Sequence, residues 1–208
     1  MKAYLFDFDG TLVDSMPTYV AAMLRILDEN EIPYTGELIK QITPLGVSAT
    51  ADYFISIGLP LQKESIISKM KAYMLDAYAF HIQAKTNVIS TLEGLKKKGA
   101  KLNVLTASPH ATLDPCLKRL GIFALFDHVW SCDDFATTKA DPAIYVAAAE
   151  KIGEHMEDVL FLDDNLNALK TAKMAKMPVC GVYDATSEDV VCKMTTVSDK
   201  YIYSFNEL

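Results

Sequence analysis

The sequence predicts an α/β fold: a parallel sheet covered on both faces by helices, with a block of helices inserted after the first strand. Three observations carry this. From residue 85 onward, short continuous apolar runs alternate with helical patterns, as expected for strands buried on both faces. No strand signal interrupts residues 16–84. Half of the 208 residues are hydrophobic and mean hydropathy is +0.13, enough for one large core or two modest ones. The expected division is residues 1–15 with 85–208 as the α/β core, and 16–84 as a helical second domain.

The elements follow in order. Residues 2–6 form an apolar strand leading into Asp7-Phe8-Asp9-Gly10-Thr11. A helix starts near Ser15, with Pro17 in its first turn and apolar residues Tyr19, Met23, Ile26 and Leu27 at three- and four-residue steps. Helices are also read in "TGELIKQIT", "VSATADYFISIGL" and "KESIISKMKAYMLDAYAFHI". "VISTLEGLKKKG" is an amphipathic helix stopped by Gly99, where Lys96-Lys97-Lys98 complement the helix C-terminus. "AKLNVLTAS" is a strand. "HATLDPCLKRLGI" is helical, with Asp114-Pro115 marking an irregularity or a new start. "FDHVWSC" is a short strand. "DPAIYVAAAEKIG" is a helix with Asp141 as N-cap, Pro142 first and Gly153 as stop. "DVLFLDD" is a strand, "NLNALKTAKMAKM" a helix, "PVCGVYD" a strand, and "KYIYSFNEL" a final strand and tail.

Composition excludes several functions. The net charge of −7 and a pI near 5.1 argue against nucleic acid and anionic membrane as partners. No run approaches the roughly 18 apolar residues of a membrane span. Asp7 and Asp9 interrupt the first apolar stretch too early for a signal peptide. Cys116, Cys132, Cys180 and Cys192 are widely spaced, without a C-x-x-C pair. They read as small, buried, reduced residues, which fits a cytoplasmic location. His81, His128 and His155 show no metal-ligand spacing.

In an open parallel sheet, chemistry collects at the carboxyl ends of the strands. Here those ends carry Asp7 and Asp9, then Thr106-Ala107-Ser108, then Thr137-Thr138-Lys139, then Asp163-Asp164-Asn165. Singly, an Asp pair before a helix is an N-cap, a Lys is solvated and a Thr bonds locally. Jointly, one rim of carboxylates, a hydroxyl and a lysine suggests a divalent cation and phosphoryl transfer. Mg²⁺ takes about six oxygen ligands, typically one or two carboxylates plus water and phosphate, and Asp7 and Asp164 can supply those carboxylates. A carboxylate can also attack phosphorus and form an aspartyl-phosphate. Lys139, the Thr106 hydroxyl and backbone N–H groups near Ala107 can stabilise the spreading charge. A second carboxylate two residues on can protonate the leaving group and then activate water.

On the segments "DFDGTLVDS" (7–15), "VLTAS" (104–108), "TKADPAIY" (138–145) and "LFLDDNLNALKTA" (160–172), the chain resembles the haloacid dehalogenase (HAD) superfamily, in the branch of phosphoglycolate phosphatases and β-phosphoglucomutases. The resemblance implies a Rossmann-like sheet with a helical cap at residues 16–84. It implies Asp7 as nucleophile and Mg²⁺ ligand, and Asp9 as general acid/base with its carbonyl on the metal. Thr106 and Lys139 would then contact the phosphoryl group. Asp164 would lie on the metal, with Asp163 beside it or just behind. Ala107, Ser108 and His110 complete the expected substrate set. The expected activity is Mg²⁺-dependent hydrolysis of a small phosphate ester by a monomer; a phosphomutase is the alternative. Against the mutase, the sequence has Tyr19 where those relatives carry a His in the first cap helix. The dehalogenases need no Mg²⁺ and generally lack the acid at the Asp9 position. A receiver module shares the acidic, Thr and Lys set but has neither the "DGT" step nor the insertion. Substrate contacts are expected in the stretch "QITPLGVSATADYF", which carries no Arg or Lys and only Asp52 as a charge.

Overall fold

A computed structural model describes residues 1–42 and 45–208. The strands are β1 (Ala3–Phe6), β2 (Lys101–Thr106), β3 (His128–Ser131), β4 (Val159–Asp163), β5 (Val179–Val182) and β6 (Lys200–Ile202). The helices are α1 (Met16–Glu29), α2 (Gly36–Ile42), α3 (Val47–Ser56), α4 (Lys63–Phe80), α5 (Val88–Lys97), α6 (His110–Arg119), α7 (Ala143–Ile152), α8 (Leu166–Met174) and α9 (Val191–Val197). The chain divides into two compact units, one of Met1–Asp14 with Gln83–Leu208, the other of Ser15–Ile82.

The first unit holds a six-stranded parallel sheet in the order β3-β2-β1-β4-β5-β6. β1 sits between β2 and β4, with Ala3 opposite both Lys101 and Val159. Alternation along each strand sends side chains to two buried layers. Ala3 and Leu5 join Leu105, Phe161 and Val179 in a core closed by Tyr145 of α7, Leu169 of α8 and Met194 of α9. Phe6 turns the other way, its ring centroid 6.3 Å from those of both Phe126 and Phe205. Each such apolar side chain contributes about 1.5–3 kcal/mol on burial. Burial on both faces is why these strands read as unbroken apolar runs.

Three local readings need correction. Pro115 lies inside α6, which runs unbroken from His110 to Arg119. A proline removes a single hydrogen bond of the ladder, and buried Leu113, Cys116 and Leu117 hold the helix on the core. Before α7, Pro142 occupies the cap position, while the Asp141 carboxylate still accepts the Ala143 N–H at 2.9 Å. Cys192 is exposed on α9, unlike the three other cysteines; all four are free thiols. Lys96, in the last turn of α5, also reaches both oxygens of Asp127 at 2.7 Å.

The second unit is α1 to α4. α1 and α3 each pack against α4, through buried residues such as Met23, Ile26, Leu27, Phe54, Ile66 and Met70. Thr43 and Pro44, in the stretch expected to contact substrate, lie outside the described residues. Among the described residues no helix is long and apolar enough to cross a membrane.

The segments of the first unit that flank the insertion are paired with each other. Val13 bridges Ala84 in antiparallel sense, Asp14 N–H bonds the Gln83 carbonyl, and Lys85 N–H bonds the Leu12 carbonyl, the last two at 3.0 Å.

Candidate active site

The sheet order brings Asp7, the residue that follows central strand β1, beside the end of β4. Asp7 N–H bonds the Leu162 carbonyl at 2.8 Å. One carboxylate oxygen each from Asp7, Asp163 and Asp164 lie within 4.8 Å of one another. Asp7 is 6% exposed and Asp163 1%. Three like charges so close, two of them buried, are unfavourable unless cations offset them.

Lys139 provides part of that offset. Its ammonium donates to Asp7 Oδ1 and, at 2.8 Å, to Asp163 Oδ2. It arrives from the loop before α7, where the buried Tyr145 hydroxyl donates to the Lys139 carbonyl at 3.1 Å and so fixes the backbone from which the side chain extends. The two carboxylates hold the lysine pKa well above its ordinary value, although burial opposes them. Burial raises the Asp7 carboxyl to about 6; Lys139 pulls it down and Asp163 pushes it up. Asp164 is raised well above the usual carboxylate range, by burial first and then by Asp163, Asp7 and Asp184, against a hydrogen bond from Thr11. The cluster thus carries more negative charge than one ammonium neutralises. All its donors are hard oxygens, which fits Mg²⁺ rather than a soft metal.

Asp163 differs from its neighbours. Its Oδ1 accepts the Asn165 N–H at 2.7 Å and its Oδ2 accepts Lys139. Asn165 does the capping that an acidic pair before a helix would otherwise do. Its side-chain oxygen accepts the N–H groups of Asn167 and Ala168 at 2.9 and 3.2 Å. The two aspartates are therefore not consumed by the helix start.

The loop after β1 fits around Asp164. Thr11 Oγ1 donates to Asp164 Oδ1 at 3.0 Å and accepts the Asp164 N–H at 3.1 Å. Gly10 has φ +75°, and a Cβ there would lie 2.5 Å from Asp164 Oδ2. Both the left-handed backbone and the close approach require glycine.

At the end of β2, Thr106 is buried and its hydroxyl accepts the Ser108 N–H at 3.1 Å. The Ser108 hydroxyl donates to Asp9 Oδ2 at 2.5 Å, linking the second acid of the β1 loop to the β2 loop. Ala107 is exposed. His110, at the start of α6, places its ring nitrogens 2.8 Å from Asp114 and 2.8 Å from Asp134. Of the residues singled out from sequence, Asp7, Lys139, Asp163 and Asp164 form one cluster, and Asp9 joins Ser108.

Sequence reading missed three participants. It gave Lys85, the first residue of the returning core segment, no role; the structure sets its ammonium on the Gly10 carbonyl. It gave Asp184, at the end of β5, no role. It also gave none to the Thr11 hydroxyl. Their common signal is position at a strand end or chain crossing of the sheet, which applies equally to many inert residues.

Comparison with known proteins sets the cluster in context. The model of the family described as haloacid dehalogenase-like hydrolase matches residues 1–176. The pyrophosphatase PpaX of Bacillus velezensis is 29% identical over 88% of this chain and 83% of its own. A phosphorylated carbohydrates phosphatase of Thermotoga maritima is 29% identical over 84% of this chain and 82% of its own. The phosphoglycolate phosphatase of Shigella boydii is 29% identical over 88% of this chain and 81% of its own. A solved Thermotoga maritima structure, provisionally described as a β-phosphoglucomutase, superposes with a TM-score of 0.87 at 24% identity, covering 97% of this chain and 94% of that one.

Proposed function

Because this chain belongs to the haloacid dehalogenase-like hydrolases, we propose that it is a Mg²⁺-dependent phosphatase that hydrolyses a small phosphorylated metabolite through a phosphoaspartate at Asp7. The observation that carries the reading is the gathering of Asp7, Asp163 and Asp164 oxygens within 4.8 Å, with one lysine bonded to two of them. Asp7, Asp164 and the Asp9 carbonyl would hold the ion; when bound, it neutralises charge on the phosphoryl oxygens. Asp163, with both oxygens engaged, serves as the partner that orients Lys139.

The chain's own groups then divide the work. An Asp7 carboxylate oxygen attacks phosphorus while the ester P–O bond breaks, its electron pair leaving with the substrate oxygen. Asp9 gives that oxygen a proton. The Asp9 carboxylate next takes a proton from water, whose oxygen attacks phosphorus and releases Asp7 and inorganic phosphate. Lys139 and the Thr106 hydroxyl bind the phosphoryl oxygens, with the N–H group of Ala107 beside them. His110 is left outside this set because both of its ring nitrogens are engaged by carboxylates.

The named activities of the relatives favour phosphoglycolate or a sugar phosphate as substrate. Selection among such substrates is assigned to the inserted unit, Ser15–Ile82, on the strength of the family resemblance. The test is phosphate release from a panel of phosphoglycolate, sugar phosphates, nucleotides and pyrophosphate with Mg²⁺. Preferred turnover of a phosphoglycolate or sugar ester is expected. Dominant pyrophosphate cleavage would overturn the substrate class, and isomerisation of a sugar phosphate without phosphate release would make the protein a mutase.

A further inference from the structure

A second, partly buried ion pair stands at the same end of the sheet, outside the Asp7–Lys139–Asp163 cluster. Lys85 lies 2.8 Å from Asp184 Oδ2, with side-chain exposures of 17% and 5%. The Lys85 ammonium also donates to the Tyr183 carbonyl at 2.7 Å and to the Gly10 carbonyl. Its three N–H groups therefore meet three oxygens on two separate segments. A compact ammonium suits such a tripod, whereas a planar guanidinium does not.

Both segments lead to Asp164. The Gly10 carbonyl belongs to the peptide that carries Thr11, whose hydroxyl bonds Asp164 Oδ1 at 3.0 Å. On the other side, Asp184 Oδ1 accepts the N–H and hydroxyl of Thr186 at 2.9 and 2.5 Å, folding a turn in which Ser187 N–H bonds the Asp184 carbonyl at 3.0 Å. The Ser187 hydroxyl then donates to the Asp164 carbonyl at 2.9 Å. The side chain and the backbone of Asp164 are thus each held by a route that begins at Lys85. Stability alone explains such a pair poorly, since a buried ion pair can often be exchanged for apolar residues without loss.

We propose that Lys85 is a positioning residue: through the Gly10–Thr11 peptide and the Asp184–Ser187 turn, it fixes the Asp164 carboxylate for binding a divalent cation. This rests on the reading that Asp7 and Asp164 hold Mg²⁺. Partners that orient a metal ligand are typically worth 10- to 100-fold in metal affinity.

The experiment measures Mg²⁺ binding by isothermal titration calorimetry for the unaltered protein, Lys85→Met, and the double variant Lys85→Met/Asp184→Asn, which leaves no unpaired charge behind. Melting temperatures are recorded alongside. Both variants are expected to bind Mg²⁺ roughly 10- to 100-fold more weakly than the unaltered protein. If Lys85→Met does not fold, the double variant alone decides. A purely structural role would lower the melting temperature and leave the affinity of the folded protein unchanged. Variant affinities within about threefold of the unaltered protein's would therefore overturn the inference and leave the phosphatase reading intact. Absence of Mg²⁺ binding by the unaltered protein would overturn both.

Discussion

Replacing Asp7 by Asn is expected to make the metal-free protein more stable while destroying its activity. Burial raises the Asp7 carboxyl from 3.8 to about 6. At about 1.4 kcal/mol per unit, ionising it in the folded protein costs on the order of 3 kcal/mol. The folded value lies above the unfolded one. The contribution of the protonated group is therefore fully present below about pH 4 and is lost as the pH rises through about 6. Asn cannot ionise. In chelator near pH 8, Asp7→Asn is expected to exceed the parent by up to about 3 kcal/mol, or at most roughly 6–12 °C in melting temperature for a chain of this size. Its advantage shrinks toward zero near pH 4. Lys139 keeps Asp163 at 2.8 Å in the variant, so its own charge is not stranded. The assay is scanning calorimetry in EDTA at the two pH values, paired with hydrolysis of an aryl phosphate in Mg²⁺. Activity should fall by several orders of magnitude because the attacking oxygen is gone. Melting below the parent at the higher pH, or an advantage that persists in acid, would refute the electrostatic argument. Retention of a tenth of the parent's turnover would end the covalent role of Asp7.

Three further expectations can be checked. EDTA should abolish aryl phosphate hydrolysis and excess Mg²⁺ restore it; full turnover in chelator would remove the metal from the mechanism. Gly10→Ala places a methyl group 2.5 Å from Asp164 Oδ2 at φ +75°. The backbone strain alone is about 1–2 kcal/mol, and a rate titration should show the Mg²⁺ requirement rising about tenfold or more; an unchanged requirement would mean the carboxylate moves aside freely. The His110 pKa is raised by its bonds to Asp114 and Asp134. Its stabilising effect should therefore be full below about pH 6.5 and fade as the pH climbs through the higher folded value. With a ring 42% exposed, the effect is about 1 kcal/mol or less. His110→Gln should flatten this pH dependence of the melting temperature, and an identical profile in both proteins would discount the pair.

Strands β1, β4 and β5 were readable because a parallel sheet buried on both faces demands unbroken apolar segments, and "YLF", "VLFLD" and "VCGV" supply them. α9 was not read. Its sequence, VCKMTTV, is rich in β-branched residues, and Met194 is its one buried side chain. α6 looked broken because proline rules concern the local ladder, whereas its packing keeps it whole. The acidic cluster was legible because Asp7 follows β1 and Asp163 ends β4, two adjacent strands in the middle of the sheet, where adjacency follows from the fold class. Lys85 and Asp184 were not legible. Their meeting depends on where the chain returns after the insertion and on β5 lying next to β4, and neither is encoded in a local pattern.

The pairing of residues 12–14 with 83–85 has an architectural consequence. The peptide that leaves the sheet and the peptide that returns to it are already neighbours, joined by the bonds from Asp14 to Gln83 and from Lys85 to Leu12. The intervening 68-residue unit, Ser15–Ile82, is therefore a cassette spliced between two touching ends. Its length adds little to the entropy of closing that junction, which grows only with the logarithm of the loop. Such a scaffold can accept a shorter, longer or foreign insert without rewiring the strand order beneath it.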